Sequence, residues 1–198
     1  MAQPTARVLE ILDHTGLLLK QDKELPNVVS LLTGESLRGS WWSHPKAGLV
    51  FEVLSELSDH PDVLFTKLLL RKVTLVHRRL WPALLAVASS NEPWQLHGLS
   101  EQASKLLADV LESKAAIRFG GPASKELEMR LLVHAENVHT ESGLHATSLE
   151  RWSVWRWRVG IKPLRSAKLG RRFLEETTIA MGAAPSALPW SSGKSEAT

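Results

Sequence analysis

The 198-residue sequence contains no cysteine and no tyrosine. Without cysteine, the chain has no disulfide bond, no thiolate metal site, no zinc finger and no cysteine nucleophile, and a reducing cytoplasm is its simplest location. Without tyrosine, there is no phenol to serve as an acid, a nucleophile or a stacking group. The stacking aromatic with the largest ring system is therefore tryptophan, which occurs eight times.

Long uncharged apolar runs are also absent. The longest apolar run, Leu80 to Ala88, has nine residues including a proline, whereas a membrane-spanning helix needs roughly 20. Charges at Arg7, Glu10 and Asp13 interrupt the apolar pattern near the N-terminus, which is unlike a secretory signal. We therefore expect a cytoplasmic protein that does not enter a membrane.

Catalytic signatures are missing as well. The chain has no glycine-rich phosphate loop with its lysine, no His-Glu-x-x-His motif and no Gly-x-Ser-x-Gly elbow. These absences favour a binding protein without a cofactor over an enzyme. If the chain were an enzyme, the best candidates to deprotonate a water would be a carboxylate–imidazole set: Glu136, His139 and Glu141.

A metal site is a second possibility for the same stretch of chain. Its candidate ligands are His134, His139 and His145. His134 and His139 are five residues apart, which is about 140 degrees around a helix, whereas ligands on one helical face are three or four residues apart. The sequence therefore predicts that no metal is bound here and that these residues form hydrogen bonds in a turn between two helices.

Acidic residues are absent between Glu150 and Glu175, and cations are concentrated there. The basic segment, residues 151–172, holds eight cations: Arg151, Arg156, Arg158, Lys162, Arg165, Lys168, Arg171 and Arg172. The whole chain has a formal charge of only +3, so the rest of it is net negative. Cations neutralise phosphates and the three tryptophans of the segment can stack on bases, so the composition indicates a nucleic-acid partner.

The periodicity of apolar residues predicts a mainly α-helical protein with small β-hairpins. In the first unit, residues 1–88, three helical segments precede two β-prone runs. The helical segments are 5–19, 26–34 and 45–58, and the β-prone runs are 63–70 and 73–79. Helices followed by a basic hairpin are typical of a winged-helix unit, in which the hairpin is the wing. A further helix from Trp81 to Ala88 completes the unit.

The second half of the chain predicts a second winged-helix-like unit. A polar linker, residues 89–99, separates it from the first unit, and it covers residues 100–181. Its predicted elements are helices at 100–113, 124–138, 146–159 and 163–180, a strand at 115–119 and a turn at 140–143. Residues 182–198 are rich in alanine, proline, serine and glycine and are predicted to be a disordered tail. The fold prediction is a tandem winged-helix architecture.

This architecture makes 146–159 the recognition helix for duplex DNA. Arg151 and Arg158 are seven residues apart and would share one helical face, whereas Trp152, Trp155 and Val159 follow the spacing of a core-facing stripe. Trp157 falls off that stripe. The predicted nucleic-acid contacts are Lys72, Arg78, Arg79, Arg151, Trp157, Arg158, Lys162, Arg165, Lys168, Arg171 and Arg172.

Two other functions remain open. Winged-helix units can form the cleft of a nucleic-acid-processing or base-repair enzyme with a carboxylate–histidine site. They can also dock proteins, including a second copy of the chain, since helix 45–58 exposes acids that would repel phosphates. Trp41, Trp42 and Trp94 are the candidate aromatic anchors for such docking.

Three segments resemble a family of uncharacterised bacterial proteins of similar length. They are Ser40-Trp41-Trp42-Ser43-His44-Pro45-Lys46, Lys72-Val73-Thr74-Leu75-Val76-His77-Arg78-Arg79-Leu80-Trp81-Pro82 and His134-Ala135-Glu136-Asn137-Val138-His139-Thr140-Glu141. The likeness covers about residues 30 to 160. It implies a bacterial cytosolic protein and transfers no activity and no catalytic residue.

Overall fold

The computed structural model describes residues 3–139 and 145–191. Helices predominate, and two small three-stranded antiparallel sheets accompany them. The helices are α1 (Pro4–Thr15), α2 (Val28–Thr33), α3 (Ala47–Ser58), α4 (Trp81–Ala88), α5 (Pro93–Leu96), α6 (Glu101–Glu112), α7 (Pro122–Met129), α8 (Trp152–Val159) and α9 (Ala167–Ala180). The strands are β1 (Leu17–Leu19), β2 (Val63–Lys67), β3 (Val73–His77), β4 (Ile117–Arg118), β5 (His134–His139) and β6 (His145–Glu150). The predicted combination of helices with small hairpins is confirmed.

The first sheet has the strand order β1-β3-β2. The predicted hairpin of β2 and β3 is confirmed, with Leu64 opposite Val76. The predicted helix 5–19 is wrong at its C-terminal end, because Gly16 adopts a left-handed conformation (φ 78°) that ends α1. The three buried leucines that follow form β1, and Leu18 pairs with Leu75.

The second sheet has the order β4-β6-β5. Here two predicted helices are wrong in part: 124–138 is helical only to Met129, and 146–159 is helical only from Trp152. Between these helices, β5 and β6 pair as antiparallel strands. The predicted turn 140–143 lies outside the described residues. Ala135 pairs with Leu149 and both pack on the α6–α7 side, in a cluster that includes Leu127. This burial comes from residues distant in the sequence, and it outweighs local helical spacing.

The largest buried cluster joins the two halves of the chain. It combines Leu69 and Leu85 from the first half with Trp155, Leu174 and Leu188 from the second. The two halves therefore share one core, while their division into two units stays a prediction.

Two segments predicted to be irregular contribute to this packing. The predicted linker contains α5 and the buried Gln95, whose amide donates to the carbonyls of Ala88 and Arg130, 3.2 Å each. The prediction of a disordered tail is wrong for residues 182–191, which pack against the rest of the protein. Trp190 is buried, and its indole N–H donates to Glu175 at 2.7 Å.

Candidate nucleic-acid interface

Helix α8 is a short helix with a buried and an exposed face. Trp152 and Trp155 are each 4% exposed. The ring of Trp155 lies 5.0 Å from that of Trp81 and 5.2 Å from that of His134. Trp152 donates from its indole N–H to the carbonyl of Leu131 at 2.9 Å. The predicted core role of these two tryptophans is confirmed.

The opposite face of α8 presents an indole to solvent. Trp157 is 86% exposed, and Arg156 beside it is also exposed. The described aromatic contacts do not include Trp157. Burying apolar area is the main stabilising contribution a tryptophan makes to a fold. An indole this exposed contributes little of it.

The loop 160–166 that follows α8 is anchored by its apolar residues. Ile161 and Leu164 pack against the main core, and the N–H of Leu164 donates to the carbonyl of Pro82 at 2.9 Å. The cations that alternate with them, Lys162 and Arg165, are exposed. The loop is thus anchored to the core, and two of its cations extend into solvent.

Helix α9 begins directly after this loop. Ser166 caps it by accepting from the N–H of Leu169, and Lys168 is exposed in its first turn. With α8 and the loop, this turn forms one basic stretch. We call it the basic face, and it consists of Arg156, Trp157, Lys162, Arg165 and Lys168. In the part of the chain that the structure describes, none of its four cations forms an ion pair.

Three other predicted contacts in the basic segment are paired with carboxylates. Arg158 bonds to Glu150 and lies 3.9 Å from Glu136. Arg171 bonds to Glu92 at 2.7 Å, and Arg172 bonds to Glu176 one turn along α9 at 2.8 Å. These carboxylates already neutralise the three guanidinium groups, so the groups add little to the positive potential of the surface.

Arg151 also differs from its predicted role. It is the N-cap residue of α8 and donates to the carbonyl of Leu111 at 3.4 Å. Its Nε is buried and has no hydrogen-bond partner among the described residues. Because residues 145–150 are a strand, Arg151 and Arg158 do not form one exposed helical face. The predicted helix 146–159 is therefore wrong over residues 146–151, and its role as a recognition helix stays a prediction.

The cations of the predicted wing hold structural elements together. Arg78 donates to the carbonyls of Pro61 at 3.2 Å and Val159 at 3.1 Å, and its guanidinium lies 5.3 Å from the ring of Trp81. Arg79 donates to the carbonyl of His14 at 2.9 Å. Two of the three predicted wing contacts thus serve the fold.

Lys72, the third, bonds to the carboxylate of Asp22 at 2.6 Å. Burial of Asp22 acts to raise the pKa of its carboxyl, but hydrogen bonds from Lys72 and from the N–H groups of Glu24 and Leu25 outweigh it and lower that pKa to about 2. The ionised carboxylate is therefore more favourable in the folded protein than in the unfolded chain.

Asp22→Asn tests this ion pair. The pKa of Asp22 is lower in the folded protein, about 2, than its ordinary value of 3.8 in the unfolded chain. The carboxylate therefore stabilises the fold fully at pH values above 3.8, and this contribution is lost as the pH falls from 3.8 through about 2. We expect the variant to lower the free energy of unfolding by about 2 kcal/mol near neutral pH, the usual contribution of a hydrogen bond to a charged group. Urea denaturation at a series of pH values should show the difference shrinking below pH 3.8; a difference that does not change with pH would contradict the assignment.

Of the candidate catalytic and metal residues, His134 and Glu136 belong to one network that includes Glu150 and Arg158. His134 is 2% exposed and its Nδ1 lies 3.1 Å from Glu150, its cross-strand partner. His139 and His145 are paired at the ends of β5 and β6, and Glu141 lies outside the described residues. Glu136 faces Arg158. Among residues 3–139 and 145–191 there is no group of three or more histidines and carboxylates that could hold a metal ion.

Two open clefts lie away from these candidates. One is lined by residues of α1, β3 and their neighbours, including Asp13, His60 and His77. The other lies between the end of α1 and α9, and Phe173 lines it. Neither cleft brings Glu136 and His134 together, so they give the enzyme hypothesis no support.

Sequence reasoning left one member of the basic face, Arg156, out of the candidate contacts. The available signal was its position beside Trp157 and off the Trp152–Trp155–Val159 stripe.

Within the described ranges no helix combines the length and apolar character needed to cross a membrane. No family model, no curated protein and no solved structure matches the chain, so the resemblance of its three segments to uncharacterised bacterial proteins stays a prediction.

Proposed function

We propose that this protein binds nucleic acid through the basic face, without catalysis. The observation that carries the proposal is the 86% exposed indole of Trp157, which lies in one stretch of chain with four exposed cations that have no acidic partner among the described residues. Phosphates are neutralised by such cations, and bases stack on such rings.

The first turns of α9 support an anionic ligand by a second route. A helix N-terminus carries a partial positive charge, which favours acids and disfavours cations there. Helix α9 has no acid in its first turn and has the exposed Lys168 in it. The helix dipole therefore does not stabilise the charge of Lys168, and a bound anion at this end of α9 would.

The two sheets favour a winged-helix-like architecture as part of this proposal. In the first half the order α1, β1, α2, α3, β2, β3 with the sheet order β1-β3-β2 matches helices followed by a wing. The second half repeats the sheet order as β4-β6-β5, but α7 leads through residues 130–133 directly into β5. We infer one complete unit and one that lacks its third helix.

Charge reversal tests the proposed function. We expect Arg165→Glu/Lys168→Glu to weaken binding of labelled single- and double-stranded DNA at low salt by on the order of tenfold, because two phosphate contacts are lost. The slope of log affinity against log salt should fall in magnitude by roughly 0.7 to 0.9 per lost contact. Fluorescence anisotropy of labelled DNA at several salt concentrations measures both quantities.

A matched control reverses two exposed cations elsewhere. Arg7 lies on α1 and Lys105 on α6, and both are exposed. Arg7→Glu/Lys105→Glu changes the net charge equally and should weaken binding much less. Equal weakening by both double variants would show that overall charge, not the basic face, determines affinity, and absence of binding at low salt would end the proposal.

A protein-docking function is the second candidate, and one observation favours it. Trp42 is 63% exposed and stacks on Trp41 at 4.1 Å, with Phe51, itself 46% exposed, 5.8 Å away. Exposed aromatic rings of this kind are typical anchors of protein–protein interfaces.

A further inference from the structure

We propose that the basic face selects nucleic acid with unpaired bases, with one base stacked on Trp157. This inference rests on the proposed function and specifies the class of ligand. Three observations support it: the exposure of Trp157, the short length of α8 and the cations that precede and follow Trp157 along the chain.

Helix α8 lacks what a reader of duplex DNA needs. Its eight residues give a length of about 12 Å, and its inward face is committed to Trp152 and Trp155. Arg158 is bonded to Glu150. The outward face therefore offers Ser153, Arg156 and Trp157, of which Arg156 is the only cation. Reading base edges in a major groove takes three or four side chains of one helix in register, and this helix does not supply them.

The indole of Trp157 suits a different contact. Bases within a duplex expose only their edges, because their faces are covered by the neighbouring pairs. Unpaired bases can splay out and stack on an aromatic side chain. Trp157 is 86% exposed, so a base can reach its ring. An unpaired base can therefore stack on this indole, whereas a base inside a closed duplex cannot.

The cations lie on both sides of Trp157 along the chain. Arg156 precedes it on α8, while Lys162, Arg165 and Lys168 follow along the loop 160–166 and the first turn of α9. The backbone of the loop is held by the bond from Leu164 to Pro82, so the points from which its cations extend are set without a ligand. A preformed row of cations with a stacking ring near one end is the arrangement that tracks a single-stranded backbone.

Competition binding tests the ligand class. Labelled oligo-deoxythymidylate bound to the protein is displaced by unlabelled oligo-deoxythymidylate, by oligouridylate or by relaxed, covalently closed circular duplex DNA, compared at equal phosphate concentration. We expect the closed circles to compete at least tenfold less well than the oligonucleotides. The two oligonucleotides distinguish DNA from RNA, and a preference for either one supports the inference.

The matched variants are Trp157→Ala and Trp42→Ala, since both remove an exposed tryptophan. We expect Trp157→Ala to weaken oligo-deoxythymidylate binding by about tenfold, within the usual range for one stacked base, and to change circular-duplex binding less than twofold. Trp42→Ala should leave both affinities unchanged.

The outcomes separate this inference from the proposed function. If the protein binds with steep salt dependence but prefers closed duplex, or if Trp157→Ala has no effect, the unpaired-base inference fails and the nucleic-acid function stands. If no nucleic acid binds, while vesicles of phosphatidylglycerol bind in a Trp157-dependent way, both fail, and the basic face is a membrane-surface site.

Discussion

Trp155→Ala should lower the free energy of unfolding by about 3–5 kcal/mol, the usual cost of truncating a buried tryptophan to alanine. Trp155 is 4% exposed and packs against the rings of Trp81, Trp152 and His134. Removing its ring opens a cavity where α8 meets α4 and the second sheet. Urea denaturation monitored by far-ultraviolet circular dichroism would measure the loss.

Trp157→Ala is the matched control on the same helix. Because Trp157 is 86% exposed, its truncation should change the free energy of unfolding by no more than about 0.5 kcal/mol. Together the two variants separate a tryptophan that folds the protein from one that is free to bind. Comparable destabilisation by both would show that Trp157 is packed, and the basic face would lose its stacking ring.

The difference between these tryptophans was predictable from the sequence. Trp152, Trp155 and Val159 follow the three-then-four spacing of a core-facing stripe, and Trp157 does not. The same kind of local signal predicted α4 over Trp81–Ala88 and α6 after its Ser100 cap, both as observed. Helical spacing and capping depend on residues close together in the sequence, so they can be predicted without knowing the fold.

The strands were less predictable, because their partners are distant in the chain. Leu17–Leu19 continues the apolar pattern of α1, and only its pairing with β3 shows that it is a strand. Likewise the helical spacing of residues 124–138 and 146–159 predicts helices where β5 and β6 form, although Ala135 and Leu149 pair across these strands and pack on the α6–α7 side. Which face such a segment buries depends on packing that forms only in the folded protein.

The candidate site shows the same division. The basic segment was visible as composition, but composition cannot show which cations are already neutralised. Arg171 bonds to Glu92, and Lys72 bonds to Asp22, in each case across many residues of sequence. Of the cations predicted to contact nucleic acid, only Lys162, Arg165 and Lys168 neither pair with a carboxylate nor hold the fold together in the described structure. Arg156, which was not among the predicted contacts, is exposed and joins them.

Gly170→Val should be the second large effect. Gly170 lies on the buried face of α9, where an added Cβ would be 2.5 Å from the carbonyl oxygen of Ala83 on α4 and 3.1 Å from Val87. Since one neighbour is backbone, a side chain can be accommodated only by moving the two helices apart. We expect a loss of about 3 kcal/mol, the upper part of the range for overpacking a core, or a fall in Tm of roughly 6–12 °C for a chain of this size.

Gly48→Ala is the control for the substitution of a helical glycine. Gly48 lies on an exposed position of α3, and an added Cβ there meets nothing within 4 Å. Because Gly48 is the second residue of α3, alanine has a smaller advantage there than in a helix interior, and we expect it to stabilise the protein by no more than about 0.5 kcal/mol. A Gly170→Val protein as stable as wild type would contradict the close helix packing described here.

The consequence of Gly170→Val should extend to binding. Helix α9 carries Lys168, and its close packing on α4 fixes the helix, as the bond from Leu164 to Pro82 fixes the loop before it. Moving α9 away from α4 would shift Lys168 relative to Trp157, which stays with α8. Even at a temperature where the variant is folded, its affinity for oligo-deoxythymidylate should fall. Gly48→Ala should bind as wild type does, because α3 lies outside the basic face.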